Sequence, residues 1–405
     1  MKVINPLKIN DLVYWAGILD EDLVTFDIVM ETQYGTTYNS FLLKTDKIAV
    51  IDTVKKTFAE TYIQNISKMV NPAEIEYIIC NHTEPDHSGS VGKLLELAPD
   101  ATVVGSGQAI HYLQEMIEEP FRNMKVKDGD VLSLGNRTLK FIGAPNLHWP
   151  DSIYTYLEED KILFTCDSFG AHYCDEKMFD DQVSDYSDTF KYYFDVILKP
   201  YSKFMLKAIE KIRPLQISMI CPGHGPILRH TWKDKVDISE KYAKEYLDLT
   251  AGGINQVLVT YISAYGFTKE MAEKIGAGIR KAGVISVELA DIEHISLGDL
   301  EEKIVRSEGI LVGSPTINQN TLLPVYKLFA LINPIRDKGK LAASFGSYGW
   351  SGEAVKLIDD HLRNLKLDVV QAGLATKFYP GRNKTEELEM FGENFGKLFL
   401  ERRNN

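Results

Sequence analysis

Apolar runs of strand length recur along this chain, and most of them stop at a polar or glycine-rich loop. The first part reads as β-rich, with short strands predicted over 12–15, 35–43 and 47–52, the last two joined at Thr45-Asp46. Phe58, Tyr62, Ile66 and Met69 have helical spacing, and Pro72 follows them. A buried strand is predicted over 75–80, and a helix over 91–97 with Ser88 available to cap it. A strand over 102–105 and a helix over 108–118 come next. Strands over 138–142, 161–166 and 217–221 then each run into a polar residue. The stretch 181–213 reads as mostly helical; Phe190, Tyr193, Phe194, Met205 and Ile209 form a core stripe, read as packing.

The texture changes at Ala251-Gly252-Gly253. Beyond it, strands over 256–262, 309–313 and 340–345 alternate with helices, the first of them over 269–282. Such alternation predicts a parallel sheet covered on both faces. Two domains follow, 1–250 and 254–405, both α/β in class.

Composition narrows the function. A chain of 405 residues is long for one core. Its 44% hydrophobic and 25% charged content is that of a globular protein. The net charge of −12 argues against nucleic acid and against anionic membrane as partners, and suits a small electron carrier with a basic face. The start has no signal-peptide stretch and no apolar run is long enough to span a bilayer, so a cytoplasmic location is expected. Cys80, Cys166, Cys174 and Cys221 form no CxxC pair, which speaks against a zinc ribbon or a rubredoxin-like centre. They are expected as buried small hydrophobes.

The densest chemistry is Asn81-His82-Thr83-Glu84-Pro85-Asp86-His87-Ser88-Gly89. His82, Glu84, Asp86 and His87 are all metal-capable, and their loop follows a strand, where α/β folds place chemistry. Imidazole nitrogens and carboxylate oxygens suit iron, zinc or manganese. A lone HxE is more often a solvated turn; this H-x-E-x-D-H is denser. Asp86 and His87 cannot easily aim at the ion that His82 and Glu84 face, so two ions are the natural reading. His148 in Leu147-His148-Trp149-Pro150-Asp151, Asp167 after Cys166, and His224 in Pro222-Gly223-His224-Gly225 repeat the pattern of a polar residue at a strand end. Gly223 and Gly225 allow a tight backbone there.

The second half offers another site. Ser263, Tyr265, Gly266, Phe267 and Thr268 make a hydroxyl-bearing turn between a strand and a helix, an anion site without the nucleoside triphosphate pattern. A terminal monophosphate fits it. Pro315, Thr316, Ile317 and Asn318 form a second loop, and Ser347, Tyr348, Gly349, Trp350, Ser351 and Gly352 a third. Tyr348 and Trp350 can stack on a flat heteroaromatic ring. Together the three loops point to flavin mononucleotide (FMN).

The first half resembles the metallo-β-lactamase fold, an αββα sandwich whose usual signature is H-x-H-x-D-H. The second resembles the flavodoxin-like doubly wound sheet. The pair, with Glu84 in place of the middle His, resembles the flavodiiron protein family over nearly the whole chain. That resemblance implies that His82, Glu84 and His148 hold one iron, that Asp86, His87 and His224 hold the other, and that Asp167 bridges them. It places His172 near the site without making it a ligand. It implies reduction of dioxygen to water, of nitric oxide to nitrous oxide, or both, at a diiron centre fed by FMN. It further implies a head-to-tail homodimer or a dimer of dimers, and an external electron donor, rubredoxin or a reduced deazaflavin. Three carboxylates against two ferrous ions leave one positive charge, which a bridging hydroxide neutralises.

Two rival readings stand beside this one. A binuclear hydrolase would use a metal-bound hydroxide, and Glu84 argues against it. A non-catalytic flavin carrier would need no ligands in its first half. Lys55 follows the strand that ends at Asp52 and is expected as a solvated side chain; the alternative, that it borders the gas pocket, would be retired by a Lys55→Ala variant with unchanged gas preference.

Overall fold

The computed structural model describes residues 7–26, 30–251, 255–378 and 382–404. The chain divides into two compact units, Met1–Leu247 and Asp248–Asn405. The boundary expected at 251–253 lies mostly outside the described residues, because only Ala251 is among them, at the end of the helix Trp232–Ala251.

The first unit is built on two sheets. One orders the strands Leu7–Lys8, Val13–Trp15, Phe41–Leu43, Ile48–Ile51, Ile75–Cys80, Thr102–Ser106 and Arg122–Val126; its last four strands run parallel. The other orders Val131–Ser133, Thr138–Gly143, Ile153–Leu157, Ile162–Cys166 and Met219–Pro222, antiparallel except for the last pair. Side chains alternate between faces along a strand. Ile79 therefore joins Phe41, Ile51, Phe141, Ile162 and Phe164 in the core between the sheets. Its neighbour Ile78 turns the other way, into the cluster that holds Tyr62, Ile66, Leu94 and Ile110 from the covering helices. Ile142, Tyr154 and Leu163 belong to the same outer cluster as Phe190, Tyr193, Met205 and Ile209. The layering is helix, sheet, sheet, helix.

Several local expectations are corrected. The run 35–43 is two strands: Thr36–Tyr38 pairs with Ile18–Asp20, and Phe41–Leu43 enters the large sheet. Asn39 makes the break, its side chain accepting from Trp15 Nε1 at 2.9 Å and donating to Pro222 O at 2.8 Å. Ser88 does not cap the helix Val91–Leu97, whose N-cap residue is Ser90; the Ser88 hydroxyl instead donates to Thr83 O at 2.8 Å. Within 181–213 the helix begins only at Ser187, passes through a π-helical stretch Phe194–Leu198 and a 3-10 turn, and resumes as Ser202–Ile212.

The second unit is a parallel sheet ordered Ser286–Asp291, Gln256–Tyr261, Gly309–Gly313, Leu341–Tyr348, with Asp368–Val369 and Leu374–Lys377 both pairing with the last of these. Val257, Val259, Leu311 and Phe345 pack with Met271, Ile275, Phe395 and Phe399 on one face. Leu258, Ile310 and Val312 pack with Leu300, Ile304, Leu328 and Ile358 on the other. Both faces are covered, as the alternating pattern predicts. The helix Phe267–Ala282 starts two residues earlier than expected, so Phe267 and Thr268 belong to its first turn. The strand Leu341–Tyr348 runs on past 345, so Ser347 and Tyr348 sit on its end and not in the loop.

Candidate metal centre and flavin site

In the first unit the predicted donors meet at the carboxyl ends of the central strands. His82 and Glu84 follow Ile75–Cys80, and Glu84 is extended, with φ −55° and ψ 140°. Pro85 then opens a single helical turn, Pro85–Ser88, where its missing N–H costs nothing. The turn carries Asp86 and His87 away from the direction of Glu84. This switch from extended to helical backbone splits one motif between two pockets. Asp167 follows Ile162–Cys166, whose last residue has φ 47°, and His224 stands between Gly223 and Gly225 after Met219–Pro222. Gly225 has φ 77°. Gly223 faces His87: a Cβ there would lie 2.8 Å from His87 Cε1.

His82, Glu84, His148 and Asp167 form one group able to hold an ion, and Asp86, His87 and His224 another. In the first, Glu84 Oε2 lies 3.3 Å from His82 Nε2 and 2.9 Å from His148 Nε2. In the second, Asp86 Oδ2 lies 3.2 Å from His87 Nε2 and 3.1 Å from His224 Nε2. Asp167 stands between them. Its Oδ2 is 3.5 Å from His82 Nε2 and 3.6 Å from His148 Nε2. Its Oδ1 is 3.0 Å from His87 Nε2 and 3.6 Å from His224 Nε2.

These donors fit metal ions. Both Asp86 oxygens and Asp167 Oδ2 are buried and have no hydrogen-bond partner, although ring nitrogens lie close by. Close approach without hydrogen-bond geometry is what ligands of a shared ion show. Ligands about 2.1 Å from one ion and at right angles lie roughly 3.0 Å apart.

The electrostatics agree. Burial disfavours the charged form of Asp167, yet the surrounding imidazoles, His87 first, hold its carboxyl well below the usual range. Burial likewise opposes ionisation of Glu84, and His148 and His82 overcome it, holding that carboxyl low. His82 is pushed well above the ordinary imidazole range, because Asp151 and Glu84 outweigh its burial. His87 is raised to about 9, the charges of Asp86 and Asp167 outweighing its burial. Protons are thus the counterions of the carboxylates until metal ions replace them.

Groups outside the ligand set fix the rings. His82 Nδ1 lies 3.2 Å from each Asp151 oxygen, and His224 Nδ1 donates to Thr37 O at 2.6 Å. Each leaves Nε2 for the pocket. Asp52 takes Asn81 N–H at 2.7 Å and so holds the start of the motif loop. The Tyr193 hydroxyl donates to Asp167 Oδ1 at 3.2 Å. The stripe read as packing therefore also touches the site. Asp151 stood in a quoted motif, three residues after His148, but nothing in the sequence paired it with His82; Thr37 acts through its backbone and leaves no signal. His172 is buried beside the donors and ligates nothing: its Nδ1 is 2.9 Å from Thr36 Oγ1 and its ring stacks on Phe26 at 4.3 Å. Burial, then His224, depresses its basicity far below the ordinary range, so it stays neutral. Lys55 is exposed, and its carbonyl accepts from Ser90 Oγ at 3.5 Å. Cys80, Cys166 and Cys221 are buried as expected; Cys174 is only partly so.

In the second unit the three expected loops meet at one sheet edge. Gly266, φ 86°, precedes the helix Phe267–Ala282, and Ser263 Oγ accepts from Lys269 N–H at 3.2 Å. Thr268 Oγ1 lies 2.9 Å from Ser347 Oγ, which ties the first loop to the third. Thr316 N–H donates to Ser347 O at 2.8 Å, and Thr316 Oγ1 accepts from Ala354 N–H at 3.3 Å. Asn318 has φ 53°. Tyr265 and Trp350 are 81% and 84% exposed, aromatic faces free to take a ring. Phe378, which sequence reasoning missed, donates its N–H to Tyr348 O at 2.7 Å, and its ring lies 3.0 Å from where a Gly349 Cβ would stand. Hydroxyls at a helix N-terminus suit a phosphate, and the aromatics suit a flavin.

A lactamase-like sandwich with paired ligand pockets, followed by a flavodoxin-like sheet, defines a class. Residues 36–225 match the ODP family beta lactamase, and residues 259–392 match flavodoxin. The chain is 38% identical to the flavo-diiron protein FprA2 of Clostridium acetobutylicum, over 96% of this chain and 99% of that one. It is 38% identical to the type A flavoprotein fprA of Rhodobacter capsulatus, over 96% of this chain and 90% of that one. Among solved structures, rubredoxin oxygen:oxidoreductase from Desulfovibrio gigas matches with a TM-score of 0.70 at 27% identity, covering 99% of this chain and 100% of that one. The flavodiiron protein from Giardia intestinalis matches with a TM-score of 0.67 at 31% identity, covering 99% of this chain and 98% of that one. The chain belongs to the flavodiiron protein family. It is an oxidoreductase, and membership implies FMN and a diiron centre. Among the described residues no helix is long and apolar enough to cross a membrane.

Proposed function

We propose that this chain reduces dioxygen to water, with nitric oxide reduction to nitrous oxide as a second or alternative activity. One observation carries the reading: the two oxygens of Asp167 face different pairs of imidazoles, 3.0–3.6 Å away. A carboxylate shared in this way would serve two ions at once, as a two-centre reduction needs. The name of the Desulfovibrio gigas neighbour supports oxygen as substrate.

His82, Glu84 and His148 would hold one iron, and Asp86, His87 and His224 the other, with Asp167 between them. Held there, two irons and FMN would supply between them the four electrons that one dioxygen requires. The protein's own part is placement and exclusion. Glu84 and His148 are 15% and 19% exposed, while the other five side chains are 9% or less. Gas therefore enters on the Glu84–His148 side. Phe26, Tyr193 and neutral His172 wall off the far side from water. Ser263 and Thr268 would take the FMN phosphate, and Tyr348 and Trp350 its ring.

The same reading takes 1–250 and 254–405 as the two domains, a head-to-tail dimer or dimer of dimers as the assembly, rubredoxin or a reduced deazaflavin as donor, and the cytoplasm as location. The test is gas consumption by reduced, iron-loaded protein at dioxygen and nitric oxide electrodes under one electron supply. Faster dioxygen loss is expected. Faster nitric oxide loss would make the second activity the main one. Loss of neither gas, with the flavin reduced, would sink the reading.

A further inference from the structure

The two pockets offer the same inner donors: two imidazoles, one carboxylate of their own and one oxygen of Asp167. They differ in what stands behind those donors. Behind His82 is Asp151, fully buried, with both oxygens 3.2 Å from Nδ1. Asp151 Oδ2 also accepts from Thr83 N–H at 2.7 Å and from the Thr83 hydroxyl at 2.8 Å, so it is fixed in place. Behind His224 stand two neutral groups, Thr37 O at 2.6 Å and the Thr36 hydroxyl at 3.4 Å from Nδ1. His87 Nδ1 is buried with no hydrogen-bond partner. The other buried carboxylate nearby, Asp52, is engaged by Asn81 N–H and Nδ2.

A carboxylate behind a ligating imidazole makes that ring a stronger donor to its metal. A hydrogen bond to a ligating carboxylate does the reverse, and the Tyr193 hydroxyl makes one to Asp167 Oδ1, the oxygen on the His87–His224 side. Both asymmetries act in one direction. We infer that Asp151 makes the iron held by His82, Glu84 and His148 the more readily oxidised of the pair. The first electron to leave the reduced centre then comes from the ion whose pocket opens through Glu84 and His148. Asp151 acts here as a positioning and donor-tuning residue, touching neither gas nor metal. This inference rests on the diiron reading above.

The experiment uses whole protein loaded with 57Fe and half-oxidised with ferricyanide, one electron per iron pair. Mössbauer spectra of the wild type should then show one ferric and one ferrous component. Wild-type protein that does not bind two irons would overturn the diiron reading itself. Asp151→Asn keeps an oxygen near His82 Nδ1 and removes the charge. Its ferric component should shift while the ferrous one stays. A shift confined to the ferrous component, an equal shift of both, or no shift overturns the inference. If Asp151→Asn binds fewer than two irons, Thr83→Val gives the same readout. It leaves Asp151 in place and removes one hydrogen bond to it, so the ferric component should again shift while the ferrous one stays; a ferrous shift or none overturns the proposal.

Discussion

Tyr193 donates its hydroxyl to Oδ1 of Asp167 across 3.2 Å, and both side chains are buried. A hydrogen bond to a buried charge contributes about 1.5–3 kcal/mol. Tyr193→Phe should therefore destabilise the iron-free protein by about that amount, read as a lower urea midpoint. An unchanged midpoint would show that the bond contributes nothing.

Among the described residues, Asp167 is the one donor that faces both pockets. Asp167→Asn should leave the fold intact by circular dichroism, lower iron per chain, and abolish gas consumption. A variant that keeps full turnover would show that the gas is not reduced at the centre Asp167 joins.

Gly223 lets its strand end lie against His87. In Gly223→Ala the new Cβ would stand 2.8 Å from His87 Cε1, so the ring has to move. Iron affinity should fall about tenfold or more, measured by chelator competition. Unaltered affinity would mean that the ring yields without disturbing the pocket.

The pairing of Thr268 and Ser347 makes a different test. Thr268→Val removes a buried hydroxyl 2.9 Å from Ser347 at the expected phosphate turn. FMN should bind about tenfold or more weakly, followed by quenching of flavin fluorescence. Iron content should not change, since the substitution lies in the other unit.

The iron-free protein should lose stability as pH rises. His87 is raised to about 9 from 6.5, so between these values the folded chain holds a proton that the unfolded chain has released. That contribution is complete below about 6.5 and gone above about 9. Asp167 and Glu84, held low, act oppositely, and their contribution disappears only in acid. Urea midpoints of stripped protein should fall between about pH 6 and pH 9. A flat or rising profile would show that the pocket imidazoles are not proton-loaded.

The sequence by itself determined the donors, their spacing, and the strand ends that carry them. H-x-E-x-D-H, the Pro222-Gly223-His224-Gly225 turn and the alternating strands of the second half are local, because residue chemistry and hydrophobic period are local. Even the split between His82–Glu84 and Asp86–His87 followed from spacing, although the Pro85 turn that produces it emerged only with the backbone. What meets across the sheets was decided by the tertiary structure. Asp151 reaches His82 over 69 residues, and Thr37 O reaches His224 over 187. Tyr193 looked like one more core aromatic because helical spacing reports which face is buried and says nothing of where a hydroxyl ends. Asn39 sat inside a predicted strand, and only its bonds to Trp15 and Pro222 show why the strand breaks there. Strand register and layer packing set these meetings, and both depend on the whole core closing at once.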